Sequence, residues 1–150
     1  MKINSRDFGE IEINKDDIVE FPKGIPGFLK QKEYVFLPLN EDSPFVIMQS
    51  VNKGELAFVT IEPGNFFTDY EFDIDENTEK MLNLENIDDV TVFNIVTLRN
   101  KMENITVNLA APLVINFSES LGRQVILDDD QFPLRRPLFA GEKKSETVVQ

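Results

Sequence analysis

Ile105-Thr-Val-Asn-Leu-Ala-Ala-Pro-Leu-Val-Ile-Asn-Phe117 is the longest nearly uncharged run in an otherwise acidic chain. Ile105, Thr106, Val107, Val114 and Ile115 are β-branched, and such side chains favour a pleated, half-buried surface. Pro112 divides the run, because proline cannot donate to a central ladder and settles at strand starts, edges or bulges. Gln124-Val-Ile-Leu127 follows beyond Gly122 as a further short strand. The run reads as the hydrophobic centre of an all-β domain, and its periodicity carries no information about function.

The strands on either side repeat the pattern. Ile11 and Ile13 alternate with Glu10, Glu12 and Asn14, and Ile18-Val-Glu-Phe21 continues after Asp16-Asp17. Residues 1–21 therefore predict two short strands with one face in the core. Phe21-Pro-Lys-Gly-Ile-Pro-Gly-Phe28 is a shaped loop, since its prolines fix φ and its glycines free it. Phe21, Ile25 and Phe28 are expected to anchor it. Tyr34-Val-Phe-Leu-Pro-Leu39 predicts a strand, with Pro38 placing it near an edge. Phe45–Met48 and Leu56–Ile61 form a hairpin through Asn52-Lys-Gly54. Thr68-Asp-Tyr-Glu-Phe-Asp-Ile-Asp75 puts Tyr70, Phe72 and Ile74 on one side and acids on the other. Asp75 is a plausible N-cap for a helix over Glu76–Leu84. Val90–Leu98 then forms a hairpin with the opening run.

Many short strands and one helix predict a mainly antiparallel, small barrel-like fold with one short capping helix. Closure also removes exposed sheet edges. The chain of 150 residues predicts a single domain over 1–139 and a polar, frayed tail over 140–150.

Composition narrows the chemistry. There is no Cys and no His, so disulfides, thiolate sites, the commonest general base and the commonest transition-metal ligand are excluded. No run approaches the ~20 apolar residues that cross a bilayer. The start, Met1–Asp7, has no signal-peptide core, so a soluble cytoplasmic protein is expected, and a monomer. A net charge of −12 argues against gripping a phosphate backbone directly. It favours a basic partner, although acidity also serves solubility alone.

No nucleophile elbow, phosphate loop or dinucleotide fingerprint is present. Catalysis would have to rest on carboxylates, as in glycoside hydrolysis; a carboxylate-dependent hydrolase on a small barrel is the alternative reading. Asp73-x-Asp75-x-Asn77 opens like a calcium loop, but Thr78 stands where glycine is needed and Leu84 where glutamate is. Asp128-Asp-Asp130 reads as a charged turn rather than a cation site. No catalytic residue, cofactor or metal site is assigned.

Partner binding has a better address. Residues 62–89 hold ten acidic side chains and one basic one, Lys80, which is −9 of the total −12. Phe66, Phe67, Tyr70 and Phe72 are interleaved with them. Charges steer and aromatics anchor, so Phe66, Phe67, Asp69, Glu71, Asp73 and Asp75 are candidate contacts. Tyr70 and Phe72 are expected in the core. Asn108, Asn116 and Gln124 are further candidates, against the simpler role of asparagine in pinning a bulge or turn.

Taken together, Phe21–Phe28, Tyr34–Leu39, Pro44-Phe-Val-Ile-Met-Gln-Ser50, Thr106–Asn116 and Gly122–Leu127 resemble the flagellar assembly factor FliW family. The resemblance spans about Phe8 to Leu138. It implies a non-enzymatic bacterial cytoplasmic protein with a small β-barrel. It further implies two partners: newly made flagellin, and the RNA-binding translational regulator CsrA, which such proteins antagonise without occupying its RNA site. It assigns no contact residue, so the candidates above rest on their own chemistry.

Overall fold

Pro112 does break the long run. The computed structural model describes residues 1–139, and the expected tail at 140–150 lies outside them. Two strands flank the break, β8 (Thr106–Val107) and β9 (Leu113–Asn116). Both pair with one edge of the longest strand, β7 (Thr91–Thr97). Val92 pairs with Val114 of β9, and Val96 pairs with Val107 of β8. Residues 108–112 bulge out between these pairings.

The double pairing of β7 closes the sheet. From β7 the order runs through β6 (Ala57–Ile61), β5 (Phe45–Ser50), β4 (Glu33–Pro38), β3 (Val19–Glu20) and β10 (Leu121–Gln124) to β9. The β7–β9 ladder completes a seven-stranded barrel. Neighbours are antiparallel except β3 and β10, which meet in parallel at Glu20 and Leu121. β11 (Arg136–Pro137) extends the sheet on β8, outside the ring. A separate hairpin, β1 (Lys2–Ser5) and β2 (Gly9–Glu12), covers Val35 and Val51 through Ile3 and Ile13.

Val19, Tyr34, Met48, Phe93, Leu113 and Ile115 fill the barrel interior, with Phe58 of β6 packed against them. Phe21 closes on Tyr34 edge-on, at 5.6 Å between ring centres, a favoured aromatic geometry. Gly122 is required beneath it, because a Cβ there would lie 2.6 Å from Phe21 Cζ.

Several local expectations shift. The first 21 residues make three strands rather than two. Their acids point to solvent, and only every second residue of β1 is buried, a weak pattern from sequence. β4 is not an edge strand; it pairs on both sides, and Pro38 sits at its end opposite Val46. Phe21 and Ile25 are buried, but Phe28 is 39% exposed and leans edge-on against Phe58 at 5.5 Å. β10 covers 121–124, where the strand was expected at 124–127. The latter stretch is nevertheless tied to the bulge, since Val125 N–H donates to Pro112 O and Leu127 N–H to Ala110 O. Helix α1 is shorter than expected, Glu76–Met81. It lies on the outer barrel wall, where Leu82 packs with Val114 and Val125. No helix among the described residues is long and apolar enough to cross a membrane.

Candidate functional site

The acidic stretch 69–75 alternates as expected. Tyr70, Phe72 and Ile74 are half-buried, while Asp69, Glu71, Asp73 and Asp75 are exposed. Yet it joins no sheet. Tyr70 N–H donates to Phe67 O, but among the described residues the backbone of 71–74 has no hydrogen-bond partner.

Both ends of the stretch are fixed. At one end Tyr70 donates its hydroxyl to Leu109 O at 2.6 Å. Asn94, buried mid-strand in β7, donates to Tyr70 Oη at 3.2 Å and to Asn108 O at 2.9 Å. Asn108 Oδ1 accepts from the N–H groups of Ala110 and Ala111, which shapes the bulge. Burial raises the Tyr70 pKa, only partly offset by the Asn94 hydrogen bond. At the other end Asp75 caps α1, its Oδ1 accepting from Thr78 N–H at 2.7 Å. That bond holds its carboxyl below the usual range.

Leu127, Asp128, Asp129, Gln131 and Phe132 form a second wall. Phe132 meets Tyr70 edge-on at 5.3 Å, so the two walls touch at that end. Between them lies an open groove of about 680 Å³, with Val90, Val92 and Ile87 in its apolar lining. Ile87 is 77% exposed. Glu71 and Asp73 line one wall, Asp128 and Asp129 the other, and no Lys or Arg lines it. A smaller depression shares Ile74, Ile87 and Val90 and adds Glu79 and Glu85.

The other candidates fall elsewhere. Phe66 and Phe67 are half-buried in an apolar cluster with Ile61, Val107 and Leu138, and the Arg136 guanidinium sits over the Phe67 ring at 5.1 Å. Asn116 is 1% exposed and donates to Leu82 O at 2.8 Å, bracing the end of α1. Its side chain is therefore no part of the surface. Gln124 donates to Ala111 O, and Asn108 builds the bulge. All three asparagine and glutamine candidates thus hold backbone in place. Asn94 and Ile87 complete the site and were not singled out from sequence; Asp128–Asp129 joins it too, where the sequence reading had only a charged turn. A polar residue in the middle of the apolar strand 90–98 was the available signal for Asn94.

Hydrogen bonds hold the carboxyls of Asp75 and Asp129 below the usual range, Asp129 through Gln131. The general acid of a carboxylate-dependent hydrolase needs the opposite shift, so neither of these two suits that role.

Comparison with known proteins settles the relationship. The FliW protein family matches residues 2–138. The chain belongs to the FliW family. It is 43% identical over 138 residues to the flagellar assembly factor FliW of Bacillus subtilis (strain 168), covering 92% of this chain and 96% of that one. Identity to the Geobacillus thermodenitrificans (strain NG80-2) FliW is 47% over 139 residues, covering 93% and 96%. A crystal structure of the flagellar assembly factor FliW superposes with a TM-score of 0.87 at 43% identity, covering 92% of this chain and 96% of that one. The FliW resemblance read from the sequence, and the barrel it implied, are both borne out. The relatives are named as flagellar assembly factors.

Proposed function

We propose that this FliW-family protein works in the cytoplasm as a non-enzymatic, partner-switching binder. It binds newly made flagellin and the RNA-binding translational regulator CsrA. By holding CsrA away from its messenger it links flagellin synthesis to flagellar assembly. Family membership supports the flagellar role, and the acidic groove is the observation that supports a basic partner. A surface that holds RNA must be basic, so a protein presenting Glu71, Asp73, Asp128 and Asp129 around apolar side chains is chemically suited to antagonise it. Exposed charges reach only about 8 Å at physiological salt. Repulsion of RNA therefore requires docking beside the RNA-binding surface rather than action from afar.

The test is charge reversal at Asp69, Glu71 and Asp73, read by CsrA affinity across a salt series. The triple Lys variant is expected to bind at least about tenfold more weakly, with a shallower salt dependence. Unchanged affinity and unchanged salt slope would move the CsrA-binding surface elsewhere.

A further inference from the structure

We infer that the groove beside residues 71–74 takes a partner segment by strand addition, and that the segment alternates apolar residues with Lys or Arg. This rests on reading the 62–89 surface as partner-binding, and it specifies how that surface is used.

Three observations converge. First, Glu71–Ile74 alternates exposed and half-buried side chains as a strand does, and it is pinned at Tyr70 and at the Asp75 cap, with backbone groups that have no partner among the described residues. Drawn out as a strand, these four residues would reach about 13 Å. Second, the space beside it is an open groove of about 680 Å³ with apolar residues in its lining, a volume typical of ligand sites. Third, its rims carry four carboxylates and no cation.

Each observation restricts the occupant. A helix laid in the groove would cover the free N–H and C=O groups of 71–74 without pairing them, leaving each desolvated and unpaired. An extended chain pairs them. Side chains of a strand alternate between two faces. One set would therefore drop onto Val90, Val92 and Ile87, and the other would rise towards Glu71, Asp73, Asp128 and Asp129. Apolar residues suit the first position and Lys or Arg the second. The same carboxylates keep two copies of this chain from pairing through the free edge, since like charges would face each other.

The probe is a fluorescein-labelled synthetic peptide of alternating Val and Lys, followed by amide hydrogen exchange on the full chain. In the free protein the 71–74 amides are expected to exchange freely, and saturating peptide should slow them at least about tenfold. A peptide of the same sequence with alternate backbone nitrogens methylated keeps its charge and loses one hydrogen-bonding edge, and should bind at least about tenfold more weakly. Ile87→Asp, at an exposed position that leaves the fold unchanged, should weaken binding similarly. Equal binding of the methylated peptide, or equal binding of a Gly-Lys peptide, overturns strand addition. If CsrA binds by calorimetry while the 71–74 amides stay unprotected, strand addition fails and the partner assignment stands. If the Val-Lys peptide protects these amides but CsrA does not bind, the groove stands and the partner assignment fails.

Discussion

Gly122→Ala tests the barrel interior most sharply. A Cβ at 122 would lie 2.6, 2.8 and 2.9 Å from Phe21 Cζ, Cε2 and Cε1. Ordinary carbon contact needs about 3.5 Å or more, so the ring would have to retreat by about 1 Å. It has nowhere to go, because Phe21 is fully buried and its edge meets Tyr34 at 5.6 Å. Overpacking of this kind costs about 1–3 kcal/mol. Urea unfolding should show a lower midpoint with an unchanged slope. The companion variant is Phe21→Leu, which lacks all three clashing atoms. In that background Gly122→Ala should cost less than about 0.5 kcal/mol, and the difference between the two backgrounds is the coupling. A neutral Gly122→Ala in the wild-type background would refute the steric account. So would an equal cost in both backgrounds.

Other variants probe single contacts. The Tyr34 hydroxyl is buried without a hydrogen-bond partner, so Tyr34→Phe should be neutral or stabilising by up to about 1–2 kcal/mol in chemical denaturation. Burial pushes the Tyr34 pKa up to about 12. The unfolded chain therefore loses its proton first, wild-type stability falls between about pH 10 and 12, and Tyr34→Phe removes that part of the fall. Asp75→Ala should cost about 1 kcal/mol through loss of the cap. Because the folded carboxyl titrates below its unfolded value, the difference from wild type is full above about pH 4 and shrinks as pH falls below it. Asn116→Ala leaves Leu82 O without its donor and should lower stability by about 1–3 kcal/mol. Calorimetric affinity for either partner should stay unchanged at a temperature where the variant is folded.

The fold was legible where side-chain pattern and turn chemistry agreed. The β5–β6 hairpin is announced by two apolar runs around Asn52-Lys-Gly54, and Pro112 marks the break between β8 and β9. β1 was missed because a strand with half its side chains in water and few large apolar residues has little signal. Residues 69–75 show the limit most clearly. Their alternation reports which side chains face the core, but it says nothing of whether a neighbouring strand supplies hydrogen bonds. Here none does among the described residues, and that missing ladder is what leaves a free edge beside the groove. The acids and aromatics of the site were visible in the sequence. The far wall at 127–132 was not, because only the folded chain brings it opposite Tyr70. Asn108, Asn116 and Gln124 stood out as polar residues in or beside apolar sequence, and each turned out to hold backbone.

Titration calorimetry with purified CsrA and then flagellin addresses the central claim directly. A stoichiometric complex should form with each partner alone, and added flagellin should release CsrA from a preformed complex. Absence of binding heat with both, at concentrations on the order of tens of micromolar, would contradict the proposed function.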